Sequence, residues 1–154
     1  MAFSARRIAA RADLKPQLVH YYFRSMEELV VTVFQRTTEF YNVAHEAALN
    51  SEQPLRALWD LNSNMPEARN VLEFGALAKQ YAALRDEMRR SGEHFRGLQI
   101  EAIEKVYAQK GITNPSISAP ALATLMSAVA RSLVTEIQVG METAHDVTRD
   151  TVVE

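Results

Sequence analysis

Apolar residues recur at intervals of three and four along most of this sequence, and no stretch alternates between apolar and polar side chains as a β-strand does. Only five glycines and five prolines interrupt the 154 residues, so few positions force a helix to stop. This pattern predicts an all-α fold of helices joined by short connections. A hydrophobic fraction of 47% is enough to bury a core in one domain of ordinary size.

Composition narrows the classes of function. The sequence contains no cysteine, which excludes disulfides, thiol catalysis and zinc sites built on cysteine. Its apolar runs are short and interrupted by charge, so we expect no transmembrane helix and no membrane partner. The N-terminus lacks the basic, apolar and small-residue pattern of a secretory signal. We therefore expect a cytoplasmic protein.

The net charge of −2 hides an uneven distribution. Residues 1–24 hold five basic side chains against Asp13, a balance of +4, so the rest of the chain carries −6. The five are Arg6, Arg7, Arg11, Lys15 and Arg24. A basic end on an acidic chain favours a polyanion as the partner of that end, but a solvated helix face explains the same charges equally well.

Local signals place the first two helices. Ser4 can cap a helix that runs to about Ala12. Pro16 suits the first position of a second helix, because the N–H that proline lacks would have no partner there. That second helix is expected to end near Tyr22.

A capping box at Ser25 and Glu28 marks the start of a long third helix. In such a box the serine hydroxyl accepts from a first-turn N–H, and the glutamate reaches back to the serine N–H. Further helices are predicted over residues 54–61, 66–79, 82–109 and 120–141. Because helix 120–141 is apolar on more than one face, we expect its own core to cover one side and another subunit to cover the other.

The two short helices at the N-terminus have the dimensions of a helix-turn-helix, in which the second helix enters the DNA major groove. Val19 and Phe23 lie four residues apart on the second helix and are expected to pack inward with Ile8 and Leu14. This arrangement leaves the opposite face of the second helix for a partner.

That outward face is expected to carry Gln17, His20 and Tyr21. Glutamine can read adenine through two hydrogen bonds, and histidine and tyrosine suit phosphates or base edges. Phosphate contacts and the salt-dependent part of the affinity would come from the basic side chains Arg6, Arg7, Lys15 and Arg24. The alternative is a pair of packed helices whose aromatic residues belong to a core.

Residues 4–30, SARRIAARADLKPQLVHYYFRSMEELV, resemble the DNA-binding signature of the TetR family of bacterial transcriptional regulators. The matching features are the pair Ile8-Ala9, the turn with Ala12 and Leu14, the Leu-Val-x-Tyr-Tyr-Phe core over 18–23, and the Ser-x-Glu-Glu-Leu run over 25–29. As an ordered set these features are fairly specific.

The resemblance implies a helix-turn-helix DNA-binding domain over residues 1–46 and a helical bundle over 47–154 that binds a ligand and dimerises. It implies a repressor that binds a palindromic operator in double-stranded DNA as a homodimer. The two subunits are expected to meet through helix 120–141 and the C-terminal segment, and a small-molecule effector is expected to release the repressor from the DNA. The residues expected at the DNA are Ser4, Arg6, Arg7, Lys15, Pro16, Gln17, His20, Tyr21, Tyr22 and Arg24.

The sequence departs from the family pattern in three places. The family has a further helix ahead of Ser4, where only three residues stand here, so the three-helix core is expected to lack its first helix. Met26 occupies a position where the family often has a phosphate-contacting lysine, and Lys15 replaces a small polar capping residue. These departures keep open a second reading, in which the chain is a helical small-molecule-binding or dimerisation module that does not bind DNA.

Soft and aromatic residues of the second half form a candidate effector site, since such side chains adapt to irregular ligands. The candidates are Trp59, Met65, Phe74, Tyr81, Met88, Phe95, Gln99, Met126 and Arg131. For each apolar member, a place in the core is the alternative. The polar anchors to consider first are Tyr81, His94, Gln99 and Arg131.

Nothing in the sequence indicates catalysis. Glu142 and His145 form one Glu-x-x-His motif, but a di-iron site in a helical bundle needs two such motifs. His45 and His94 each stand beside a glutamate, and adjacent residues on a helix point in different directions. We expect these three histidines at the surface. No metal, cofactor or enzymatic activity is predicted.

Overall fold

The structure is a computed structural model that describes residues 4–64 and 68–153. Within these ranges the chain forms eight α-helices and no strand, which confirms the predicted all-α fold. The helices are α1 (Ala5–Arg11), α2 (Pro16–Tyr22), α3 (Met26–Leu49), α4 (Pro54–Asn64), α5 (Ala68–Ala78), α6 (Ala82–Gln109), α7 (Ala119–Gln138) and α8 (His145–Val153).

The bounds of α2 and α6 agree with the sequence prediction to the residue. Helix α4 continues three residues beyond the predicted end, and α7 ends three residues before its predicted end. The predicted start of α5 at Pro66, and the candidate ligand residue Met65, lie outside the described residues. Helix α8 was not predicted as a separate element.

One hydrophobic cluster joins the N-terminal helices to the rest of the molecule. Ala9 and Val19 of α1 and α2 meet Val30 and Phe34 of α3, and Leu84 of α6 completes the same buried cluster. Ala9 has no exposed surface, so its small side chain lets α1 pack closely on its neighbours. The N-terminal helices are therefore held against the body by a shared core.

Helix α4 lies at the centre of the body. Its Leu58 and Trp59 are almost fully buried, and the helix packs against α3, α6 and α7. Trp59 forms a cluster with Ala130 and Leu133 of α7, whereas Leu58 packs with Ala48 and with Ala102 of α6. The four helices α3, α4, α6 and α7 thus form the bundle that encloses the interior of the body.

A turn returns α8 onto the end of α7. Gly140 and Ala144 both have positive φ values, 79° and 64°. The turn buries His145 to 4% exposure and brings its Nε2 to 2.8 Å from a carboxylate oxygen of Glu136. Hydrogen bonds from His145 and from Ser132 lower the pKa of Glu136. The prediction that His145 lies at the surface is therefore wrong, because the turn folds it back against α7.

Candidate functional site

The connection between α1 and α2 is a tight turn. Asp13 has a φ of 54°, and the Leu14 N–H donates to the Ala9 carbonyl at 2.8 Å. This bond pairs one of the carbonyls that would otherwise be left open at the end of α1. The side chain of Leu14 is half exposed, which contradicts the prediction that it packs inward, because as the residue that follows the turn it lies outside the contact between the helices.

Proline, rather than a side-chain cap, starts α2. Pro16 stands at its first position, and neither Lys15 here nor Ser4 ahead of α1 makes a side-chain capping bond. The expected cap by Ser4 is therefore wrong: its backbone carbonyl accepts from two N–H groups, but its hydroxyl does not accept from the first turn. Val19 is buried as predicted, and Phe23 packs beside it.

The outer face of α2 is exposed and aromatic. Tyr21 and Tyr22 expose 80% and 68% of their surface, and their rings meet edge to face with centroids 5.1 Å apart. Gln17 and His20 are exposed beside them. Large exposed aromatics rimmed by polar groups are typical of a surface that contacts a partner.

Basic side chains surround this face. Arg6, Arg7, Lys15 and Arg24 are all exposed. Within the described ranges, none of the ion pairs involves Arg6, Lys15 or Arg24. No carboxylate in this part of the chain therefore forms an ion pair with them. We define the α2 face as the exposed set Gln17, His20, Tyr21, Tyr22 with these four basic residues.

The start of α3 fixes the α2 face relative to the long helix. The Ser25 hydroxyl accepts from the Glu28 N–H at 3.0 Å, as the capping box predicts. The Glu28 carboxylate, however, accepts from the Arg24 N–H at 2.7 Å rather than from the Ser25 N–H. The box therefore reaches one residue further back and ties the end of the α2 connection to α3.

A cavity of about 210 Å³ lies between α3, α4, α6 and α7. Its wall combines apolar surface with polar and basic groups. The lining residues that matter for its chemistry are Tyr41, His45, Phe95, Arg96, Gln99 and Arg131. Among the described lining residues, none is an aspartate or a glutamate.

His45 is buried at this cavity, with only 4% of its surface exposed. Its ring stacks on Phe95 with centroids 4.5 Å apart, and its Nδ1 lies 3.0 Å from the Tyr41 carbonyl. Burial lowers the pKa of His45, and the hydrogen bond to Tyr41 opposes this in part. Since a carbonyl oxygen only accepts, Nδ1 carries the hydrogen, and in the neutral ring Nε2 is an acceptor. The prediction of a surface His45 is therefore wrong.

Polar groups of α6 and α7 bond to each other beside the cavity. Gln99 is buried, and the Ser127 hydroxyl donates to its side-chain oxygen at 3.2 Å. The Arg96 guanidinium donates to the Thr124 hydroxyl at 2.6 Å. Burial lowers the pKa of Arg96, and the nearby charge of Arg131 lowers it further. The cavity is thus electropositive and already has hydrogen-bonding groups in fixed positions.

The structure divides the predicted ligand residues into two sets. Phe95, Gln99 and Arg131 line the cavity. The other described candidates pack in cores instead: Trp59 and Met126 in the cluster with Ala130 and Leu133, and Phe74, Tyr81 and Met88 with the cluster that joins α1 and α2 to the body. His94 is exposed, as expected, and does not line the cavity.

Sequence reasoning missed His45 and Arg96 as lining residues. A signal for His45 was present, because Tyr41, His45 and Ala48 follow one another at intervals of four and three on the inner stripe of α3. Arg96 carries no such signal, since a charged residue in a mixed helix usually lies at the surface.

The described surface has further depressions, two of which have comparable volumes. The larger, about 340 Å³, lies where α3 ends and α4 begins against α6, and glutamates and one lysine line it. The second, about 270 Å³, separates α3 from α5 and is lined by Val33, Phe74 and neighbours. In the described part of the chain, no three potential ligands come together to hold a metal ion, and none of its helices is long and apolar enough to span a membrane.

Comparisons with known proteins agree with this geometry. Residues 1–33 match the model of a family described as bacterial regulatory proteins, tetR family. The structure is similar to the crystal structure of a TetR transcription regulator from Haloarcula marismortui ATCC 43049, with a TM-score of 0.77 and 18% identity over 97% of this chain and 83% of that one. No curated protein matches the sequence.

Proposed function

We propose that this chain is a regulator of the TetR type, a cytoplasmic repressor that binds a palindromic operator as a homodimer and leaves it when a small molecule fills the body; the match of residues 1–33 to the family model and the similar fold support this. The observation that carries this proposal is the α2 face: exposed Gln17, His20 and Tyr21 within a ring of exposed basic side chains. A face of this composition supports docking of α2 in a major groove.

Each part of the α2 face has its own role in the proposal. Gln17 and Tyr21 read base edges, which specify the sequence. Lys15, Arg24 and the arginines of α1 contact phosphates, which position the helix and supply most of the sequence-independent affinity. Residues 1–46 act as the DNA-binding unit, and 47–154 as the ligand-binding and dimerisation unit.

The proposed homodimer forms through helix 120–141 and the C-terminal segment. Supporting it, the outer side of α7 presents Leu125, half exposed, between the small residues Ala121 and Ala128. In the C-terminal segment, Val147 of α8 exposes 68% of its surface. Small residues beside an exposed leucine allow two helices to approach closely, and the isologous contact gives the two-fold symmetry that a palindrome requires.

The proposed release is a shift between two arrangements of the DNA-reading helices. Helix α3 begins beside the α2 face and lines the cavity at Tyr41 and His45. Helix α6 also lines the cavity, and its first turn bonds to Glu27 at the start of α3. A ligand that moves α3 against α6 would therefore change the spacing of the two α2 helices in the dimer and lower operator affinity.

Selection from a pool of random duplexes tests the DNA-binding part. The purified chain is incubated with the pool, and the retained duplexes are sequenced. We expect enrichment of an inverted repeat whose half-sites lie about one helical turn, or a multiple of it, apart. Retention of duplexes with no shared sequence would favour the alternative, a helical ligand-binding or dimerisation module that does not read DNA.

A further inference from the structure

We propose that the cavity between α3, α4, α6 and α7 binds a small organic carboxylate with a single ring. The effector role of this ligand rests on the proposed function, but its binding does not. The inference comes from three features of the cavity: its charge, its stacked rings and its size.

The positive charge of the cavity favours an anionic ligand. Arg96 and Arg131 both line it, and in the described chain no ion pair includes either of them. The group that acts electrostatically on Arg96 is another guanidinium, not a carboxylate. Two like charges beside one partly buried space disfavour each other, and an anion between them relieves this cost. A guanidinium also matches a carboxylate with two parallel hydrogen bonds.

Another part of the wall suits a ring. The Phe95 and His45 rings are stacked at 4.5 Å, with 29° between their planes. Leu61 and Ala130 add apolar surface. Gly92 has no side chain, and nothing lies within 4 Å of the position that a Cβ would take there. An apolar ring can therefore lie against this side while its acid group reaches the arginines.

The volume limits the ligand to one ring. About 210 Å³ is below the lower end of about 300 Å³ for pockets that hold drug-sized molecules. The hydrogen bond between Ser127 and Gln99 already holds both side chains in place, so they can orient a ligand without first losing bound water.

Isothermal titration calorimetry on the full chain, without DNA, tests the inference. The probes are benzoate, phenylacetate and cyclohexanecarboxylate, each compared with its uncharged amide and with sodium sulfate at constant ionic strength. We expect at least one carboxylate to bind once per chain and about tenfold or more tightly than its amide, because the amide lacks the charge-assisted pair. If no carboxylate binds more tightly than both its amide and sulfate, the inference is wrong.

Variants locate the site. Arg131→Gln and Arg96→Gln should each weaken carboxylate binding about tenfold while the amides change little. Gly92→Leu should abolish binding of the ring. Arg85→Gln, on the exposed part of the same helix, is the matched control and should bind as the wild type does. Circular dichroism checks that each variant is folded. Unchanged carboxylate affinity in folded Arg96 and Arg131 variants would overturn the assignment.

A parallel anisotropy measurement with operator DNA separates this inference from the proposed function. Carboxylate binding that leaves operator affinity unchanged would support the ligand class and contradict the proposed release. Operator binding by a chain that takes up none of the three carboxylates would contradict the ligand class and leave the repressor proposal standing.

Discussion

The Glu27 carboxylate accepts a hydrogen bond from the Ala83 N–H at 2.8 Å, although 56 residues separate them. Ala83 lies in the first turn of α6, where the capping residue Tyr81 offers no side-chain bond. Glu27 therefore caps a helix of the body from the beginning of α3. The bond connects α3, which begins beside the α2 face, to α6, which lines one side of the cavity.

We predict that Glu27→Ala lowers the free energy of unfolding by about 1 kcal/mol, because it removes a helix cap. Glu27→Gln keeps an acceptor oxygen and should lose less, about 0.3–1 kcal/mol for the missing charge at a helix N-terminus. Urea denaturation measures both. Glu39→Ala, an exposed position of the same helix, is the control and should change little. If Glu27→Ala and Glu39→Ala behave alike, the bond contributes nothing to stability.

The lowered pKa of His45 predicts a dependence of stability on pH. The unfolded chain takes up a proton near the ordinary histidine pKa of about 6.5, while the folded chain does so only at lower pH. The contribution of His45 to the free energy of unfolding should therefore be fully present above about pH 6.5, and it should be lost as the pH drops from there toward the folded pKa.

His45→Phe keeps a ring against Phe95 and removes this titration. Urea denaturation between pH 5 and pH 8 should show a flatter profile for His45→Phe than for the wild type. His94→Gln, which replaces an exposed histidine of α6, is the control variant. A His45→Phe profile as steep as that of the wild type would mean that other groups cause the dependence.

Two glycines should respond to alanine in opposite directions. Gly92 lies inside α6 with open space around it, so Gly92→Ala should raise the free energy of unfolding by about 0.5–1 kcal/mol. Gly111 follows α6 with a φ of +67°. Gly111→Ala should lower the free energy of unfolding by about 1–2 kcal/mol, because a residue with a Cβ is strained at this φ. Thermal and urea unfolding of both variants check the signs, and a loss at Gly92 would contradict the open space beside it.

Leu125→Asp tests the proposed dimer surface. Light scattering after gel filtration should give about twice the chain mass of 17.3 kDa for the wild type and about once that mass for the variant, because a charge enters the apolar contact. Ile112→Asp, at a partly exposed position after α6, should remain dimeric. A dimer that survives Leu125→Asp would place the interface elsewhere.

Local signals were enough to predict most helices. Pro16 marks the start of α2 through chemistry confined to a few neighbouring positions, and α2 and α6 appear with the predicted bounds. The outward direction of Gln17 and Tyr21 followed from the spacing of Val19 and Phe23 on one helix.

Contacts between distant residues could not be predicted in the same way. The bond from Glu27 to Ala83 depends on how α3 packs against α6. His145 is buried because two positive-φ residues turn the chain back toward Glu136. Similarly, Arg96 reaches the cavity only because α6 and α7 are neighbours, since its hydrogen-bond partner is Thr124. Such partners are set by tertiary packing and leave no mark at sequence intervals of three or four.

If the α2 face reads a DNA sequence, substitutions of base-reading residues and of phosphate-contacting residues should have different effects on DNA affinity. Gln17→Ala and Tyr21→Ala should each cost about 1–3 kcal/mol on the selected operator and little on a shuffled duplex. Lys15→Ala should weaken binding to both duplexes alike and reduce the salt slope by about one.

The deciding experiment is fluorescence anisotropy of the wild type and Tyr21→Ala on the selected operator and on its shuffled counterpart, over a series of salt concentrations. We expect the wild type to prefer the operator, its affinity to fall linearly with salt on logarithmic axes, and Tyr21→Ala to lose the preference but keep the salt slope. Equal affinity of the wild type for both duplexes at every salt concentration would contradict it.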